Sequence, residues 1–210
     1  MRITTYLRLL LARNKLLIAA VATVFFSIMI VSAVVAYLVL LTSMGLVQSF
    51  QTLISSGRSY IAIPPPYTRD LYFLIFLNNI GHFWNPVRIW VWIPLIGAIS
   101  LGYELLLNAV VIGAVASFVS LTKGPAYTVA GLVPHGIIEI PAFILEFAGL
   151  ARWHVTSIRA IYGRMSARRL DRPLFIEGVK DALALSLLSV ALFAIAAFIE
   201  SFVTPRFLGR

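Results

Sequence analysis

The sequence predicts an all-α fold: a polytopic membrane helix bundle with five transmembrane helices, one interfacial or re-entrant helix and a broken fourth span. Three observations lead to this prediction. Hydrophobic residues make up 60% of the chain and charged residues only 12%, whereas a soluble domain carries about 25% charged residues. The apolar runs are continuous rather than alternating, so backbone groups in lipid must be satisfied within helices. The basic residues are clustered, which determines the number of crossings.

The first span is predicted over residues 16–42, directly after a basic N-terminal stretch. As a helix this run is about 40 Å long, which exceeds a ~30 Å hydrocarbon layer and the 7–15-residue core of a cleaved signal peptide. We therefore expect an uncleaved signal anchor with its N-terminus in the cytoplasm. Residues 43–70 turn polar and include Pro64–Pro66, which cannot continue a helix. They are predicted to form an external loop.

The middle of the chain contains three shorter apolar runs. Residues 71–84 are too few to cross a membrane, and we expect them to form the interfacial or re-entrant helix. The second and third spans are predicted over 87–101 and 105–121, separated by a turn or kink at Gly102.

The last two spans enclose a basic segment. The fourth is predicted over 126–150 and is interrupted by Pro134 and Gly136, around His135. Residues 151–181 are rich in arginine, and the fifth span follows over 182–203. All five spans are taken as a single integral membrane domain covering residues 1–210.

The positive-inside rule selects the number of spans. Four basic residues precede the first span and seven lie between Arg152 and Lys180. Four spans between these two groups place both in the cytoplasm, whereas a crossing by residues 71–84 would separate them. The expected location is the cell membrane, multi-pass, with a cytoplasmic N-terminus. The net charge of +9 is then explained by cytoplasmic loops and anionic lipid, and we expect no nucleic-acid partner.

Several ionisable side chains lie in or beside apolar spans, where each is a functional hypothesis by default. His135 and Glu139 are four residues apart and share a helix face. We predict a polar intramembrane cluster in which they meet Glu200 or Asn108. Three interpretations stay open: hydrogen bonds that hold helices together, a metal or catalytic site with a third ligand from Glu200, Glu146 or His82, and proton or ion handling.

The chain has no cysteine, which excludes disulfides and thiolate metal sites. The serines lie without a base and an orienting acid in recognisable order. We therefore assign no catalytic residue, no metal and no cofactor.

A set of short motifs resembles the stage II sporulation protein M family. The motifs, in the family's order from about residue 70 onward, are Phe76–Ile80 with the pair Asn78 and Asn79, then Asn108, Gly113, Leu132–Ala142 with Pro134, His135, Gly136 and Glu139, then Gly149 and Ile199–Pro205. The chain departs from the family at Ala109, where a glycine is usual. The resemblance implies five spans and a scaffold that localises peptidoglycan hydrolases while one membrane moves around another. In an organism without peptidoglycan, only the membrane-scaffolding part would carry over.

Three functions follow from these observations. The first is a non-enzymatic scaffold that positions other envelope proteins in membrane remodelling, with membrane lipids and envelope proteins as partners and a homo-oligomer left open. The second is a transporter or channel that uses the broken fourth helix, and the third is an intramembrane metal-dependent hydrolase. The basic segment from Arg152 to Arg172 is expected to lie as a helix along the anionic inner leaflet or to contact a cytoplasmic partner; a solvated loop is the simpler alternative.

Overall fold

The computed structural model describes residues 3–43, 45–49, 51–52, 63–166 and 171–209. Within these ranges every regular element is a helix, which confirms the all-α prediction. The named elements in chain order are α1 Ile3–Thr42, α2 Arg69–Asn79, α3 Gly81–Trp84, a 3-10 turn at Ile89–Trp92, α4 Ile96–Lys123, α5 Pro125–Met165, α6 Arg172–Phe202 and α7 Thr204–Phe207. Residues 45–49 and 51–52 are also helical, and Ser56 with the rest of 53–62 lies outside the described residues.

Among the described residues, four helices are long and apolar enough to cross a membrane: α1, α4, α5 and α6. α1 has 40 residues and α5 has 41, so each is about 60 Å long at 1.5 Å per residue. A ~30 Å hydrocarbon layer takes up only about 20 residues of either helix. Both helices therefore continue well past the lipid.

The predicted pair of spans over 87–101 and 105–121 is wrong. α4 is one continuous helix that passes through Gly102, where a turn was expected. A glycine costs a membrane helix only about 1 kcal/mol, too little to end it. The break lies upstream, where Leu95 follows Pro94 and adopts a left-handed backbone with φ +70°. Proline at that point cannot continue a helix.

The predicted break in the fourth span is also wrong, since α5 runs without interruption through Pro134, Gly136 and Pro141. Each proline removes one backbone hydrogen bond, but in membrane helices neighbouring groups satisfy the freed carbonyl. The basic segment 151–181 is helical as far as Met165 and again from Arg172. The Asp171 carboxylate accepts a hydrogen bond from the backbone N–H of Leu174 and so caps α6.

The helix expected over residues 71–84 is present in two pieces, α2 and α3, which are divided at Ile80. α2 has 11 residues and spans about 16 Å. Pro64–Pro66 lie outside any helix, as their sequence requires.

The chain divides into two compact units, to both of which each of the four long helices contributes. The first unit comprises residues 1–24, 79–105 and 138–194, and the second comprises 25–78, 106–137 and 195–210. The first unit has two buried apolar clusters, one of Val91, Leu101, Phe147 and Leu150, and one of Leu10, Ala148 and Leu185. In the second unit α1 and α4 pack closely, because Gly113 lies against the backbone of Met29 and Ala33.

Candidate functional site

Two of the predicted cluster residues lie together in the second unit. His135 on α5 is buried, and its Nδ1 lies 3.3 Å from the Oγ1 of Thr204. A ring nitrogen of His135 and a carboxylate oxygen of Glu200 lie within 4.8 Å of each other. Asn108 lies in α4 of the same unit, and its pairing with His135 stays a prediction.

Glu139 belongs to the first unit, where its Oε1 accepts a hydrogen bond from the Nδ2 of Asn79 at 3.0 Å. Because α5 is continuous, the four-residue spacing keeps His135 and Glu139 on one face of that helix. In the sequence, Asn79 stands out only as part of a motif with Asn78, at the end of α2. The structure adds that Asn79 joins the end of α2 to α5.

One polar group in the first unit lies around His82, and the sequence does not predict it. We call it the His82 cluster: His82, Arg88, Glu104 and Glu146. The ring of His82 is fully buried, with Nδ1 2.9 Å from Glu146 Oε1 and Nε2 2.5 Å from Glu104 Oε2. The imidazolium, with a hydrogen on both nitrogens, satisfies both carboxylates at once, and a neutral ring does so when one of the two acids carries the proton.

Arg88 completes the charge balance of this cluster. Its Nη2 donates to Glu104 Oε2 at 3.0 Å and its Nε donates to the same oxygen at 3.3 Å. Burial opposes the charged ring, but the hydrogen bonds to Glu104 and Glu146 outweigh it and raise the pKa of His82. With His82 protonated and both carboxylates ionised, two positive groups face two negative groups, which compensate one another.

Aromatic side chains fix the segment that carries His82. The Trp92 indole N–H donates to the carbonyl oxygen of His82 at 2.9 Å, and the Trp153 indole N–H donates to the carbonyl oxygen of Trp92 at 2.7 Å. The Phe147 ring meets the His82 ring edge-on, with centroids 5.7 Å apart. α3 and the 3-10 turn are therefore anchored to α5 through both side chains and backbone.

A second ion network, which we call the Asp181 cluster, joins three long helices in the first unit. It consists of Arg13 and Asn14 on α1, Arg152 on α5, and Glu177 and Asp181 on α6. Asp181 is fully buried, and its carboxylate accepts hydrogen bonds from Arg13 Nη2 at 2.5 Å and Asn14 Nδ2 at 3.0 Å.

The other members of the Asp181 cluster lie around this central carboxylate. Arg152 Nη2 is 3.7 Å from Asp181 Oδ2, and Arg13 Nε is 3.4 Å from Glu177 Oε1. Two arginines thus balance two carboxylates. α5 and α6 also approach each other closely at two glycines. A Cβ at Gly149 would meet Ser186, and a Cβ at Gly178 would meet Thr156.

Both networks were missed because their partners are distant in sequence. Arg13 and Asp181 are 168 positions apart, and His82 and Glu146 are 64 apart. The sequence explains Arg13 and Arg152 by topology alone, as members of the two basic groups. One signal was available: Asp181 is an acidic residue at the edge of an apolar run, next to a segment that carries seven basic residues.

The arrangement of these groups is suited to holding helices rather than to turning over a substrate. Each ring nitrogen of the fully buried His82 faces a carboxylate of the protein itself. The buried carboxylate of Asp181 is bound by side chains from two other helices. Removing one partner from such a network is costly, which makes each cluster a clamp between helices.

Comparison with known proteins agrees with the resemblance noted in the sequence. The profile of the family described as Stage II sporulation protein M matches residues 20–205. An uncharacterized protein of Methanocaldococcus jannaschii is 32% identical over 121 residues, a match that covers 55% of this chain and 65% of that relative. No solved structure matches the chain.

Proposed function

The chain belongs to the stage II sporulation protein M family, and from that premise we propose that it is a non-enzymatic membrane scaffold. In this function it positions other envelope proteins during membrane remodelling, with membrane lipids and those proteins as its partners. The observation that carries the proposal is the Asp181 cluster, which clamps α1, α5 and α6 to one another. A scaffold has to keep its shape while its partners and its membrane move.

The transporter alternative has lost its main support. It depended on a broken fourth helix, whereas α5 is continuous from Pro125 to Met165.

The hydrolase alternative needs at least three convergent donors and a bound metal. Elemental analysis of the purified protein tests it, because stoichiometric zinc that is lost in His135→Ala would favour the hydrolase over the scaffold.

We also propose five crossings with the N-terminus in the cytoplasm. Four helices of the described residues are long enough to cross, α1, α4, α5 and α6. The fifth crossing is a proposal only, since α2 with its 11 residues is too short for a ~30 Å hydrocarbon layer. Described basic residues in the first unit number nine: Arg8, Arg13, Lys15, Arg88, Arg152, Arg159, Arg164, Arg172 and Lys180. Those in the second number three: Arg69, Lys123 and Arg206. The positive-inside rule supports a cytoplasmic first unit.

Cysteine labelling tests this topology directly, because the chain has no native cysteine. Single cysteines at Ser166 and Lys123 should react with a membrane-impermeant maleimide from opposite sides of the membrane. Ser166 should react only after the cells are opened, and Lys123 in intact cells. Labelling from the same side would contradict the topology.

The scaffold function is tested by complementation in the organism's own membrane. Depletion of the protein should displace tagged envelope proteins from sites of membrane remodelling. A double variant, His135→Gln with Glu139→Gln, keeps polar groups at both positions but removes both ionisable groups. A scaffold predicts that the double variant restores localisation as well as the natural chain does. Failure of an equally abundant, folded double variant would instead favour metal or proton chemistry.

A further inference from the structure

Three helices of the first unit extend beyond their apolar parts. α5 continues without a break past Leu150 as far as Met165, so its end lies about 22 Å beyond the apolar run. α1 and α6 likewise begin at Ile3 and Arg172, ahead of their own apolar runs. The Asp181 cluster ties these three segments together at their base. We call residues 3–15, 151–165 and 172–181 the helical extension.

The end of the helical extension exposes large apolar side chains. Tyr162 is 67% exposed and Met165 81% exposed on α5, and Leu174 and Ile176 are exposed on α6. α5 and α6 run antiparallel here, since Gly149 meets Ala182 and Ser186 whereas Gly178 meets Thr156. Leu174 and Ile176 of α6 therefore lie beside the turn of α5 that comes just before Ile161. These exposed side chains form one end of the extension, which we call the tip.

A membrane whose boundary lies at Leu150, where the apolar run of α5 ends, does not reach the tip. Tyr162 and Met165 lie about 18 and 22 Å beyond Leu150 along the same helix. The headgroup region adds only about 5–8 Å on each side of the hydrocarbon, and the Debye length at physiological salt is about 8 Å. A continuous α5 also cannot both cross the membrane and lie along its inner leaflet. The apolar side chains of the tip therefore face water.

A second copy of the chain fits the tip poorly because of its charge. The same parts of α5 and α6 carry four exposed basic side chains: Arg159, Arg164, Arg172 and Lys180. The acidic residues nearby are Asp171, which caps α6, and Glu177, which pairs with Arg13. Two such surfaces would repel each other, whereas a surface with the opposite charge would be attracted.

We infer that the tip is the docking site for an acidic, amphipathic helix of a cytoplasmic protein. Exposed apolar side chains interspersed with charged ones are typical of a protein interface, and the basic side chains select a partner rich in Asp and Glu. The inference rests on the proposed scaffold function and names the chemistry of one partner. On this inference, the cytoplasmic partner binds the helical extension, which the Asp181 cluster holds rigid.

Photo-crosslinking in living cells tests this inference on the intact protein. A benzophenone amino acid replaces Tyr162 or Met165, and a control replaces Leu187, an exposed residue in the apolar part of α6. Both tip positions should give the same protein adduct, whose crosslinked peptide is acidic, while Leu187 should react with lipid. Charge reversal by Arg159→Glu with Arg164→Glu should reduce the adduct at least fivefold. Arg206→Glu, an exposed arginine of the second unit, should leave it unchanged.

Contrary outcomes are equally specific. Lipid adducts at Tyr162 and Met165, adducts to a second copy, or a protein adduct insensitive to charge reversal would each overturn the docking site. If the tip stays unreacted while a benzophenone at Phe207 of the second unit captures an envelope protein, the tip inference fails and the scaffold stands. If no position captures a protein, both fail.

Discussion

The two units hold their helices together by different means. In the first unit, buried charges from different helices neutralise one another in the His82 and Asp181 clusters. In the second unit, α1 and α4 approach so closely that side-chain hydroxyls donate to backbone carbonyls: Ser32 to Val110 at 2.8 Å and Ser117 to Ala33 at 2.7 Å. Small residues and hydroxyls suit a lipid environment, whereas buried ion networks tolerate no missing partner. We therefore expect the first unit to respond to changes of charge and the second to changes of volume.

The largest effect is expected for Asp181→Ala in the first unit. The change leaves Arg13, Asn14 and Arg152 without their central acceptor, and breaking this network, whose arginines are partly exposed, costs up to about 3 kcal/mol. Unfolding of the purified protein in mixed detergent micelles measures the loss. Asp171→Ala, at an exposed carboxylate, is the matched control and should cost only a few tenths up to about 1 kcal/mol, as expected for a helix cap. Equal effects of the two variants would show that the Asp181 cluster is not a clamp.

The second largest effect is expected for Gly113→Ala in the second unit. A Cβ at this position would meet the backbone of Met29 and Ala33, which cannot move aside as a flexible side chain can. Overpacking of this kind costs about 1–3 kcal/mol, and the helices have to separate, which weakens the hydrogen bond from Ser117 to Ala33. The same unfolding assay measures the loss. An unchanged or raised stability would mean that α1 and α4 are not in close backbone contact.

A smaller, pH-dependent effect is expected from His82. Because the pKa of His82 is raised in the folded protein, its stabilising contribution is complete below the ordinary histidine pKa of about 6.5. It is lost as the pH rises through the higher folded value. Stability of the natural chain should therefore fall between slightly acidic and alkaline pH. His82→Gln should flatten this pH dependence; the same slope in both proteins would assign it to other groups.

Sequence reasoning succeeded where local composition decides structure. Apolar run length and the scarcity of charge predicted a helical membrane protein, and α1 ends at Thr42, where the predicted first span ends. It failed where one residue was taken to end a helix: Gly102 and Pro134 both lie inside long helices. The pairing of Arg13 with Asp181 could not be predicted either, because composition does not specify which distant helices meet. His135 and Glu139 lie on one face of the continuous α5, and the full polar cluster stays a prediction.

The smallest expected effect, and the one opposite in sign, is that of Gly136→Ala. Gly136 and Gly113 both lie within long helices of the second unit, but a Cβ at Gly136 would have no atom within 4 Å. With no packing penalty, alanine should stabilise α5 by about 0.5–1 kcal/mol, the difference in helix propensity between the two residues. Unfolding of Gly136→Ala beside Gly113→Ala should thus give changes of opposite sign for the same added methyl group. If Gly136→Ala is destabilising instead, the chain needs a glycine beside His135, and the continuity of α5 at Pro134 would have to be abandoned.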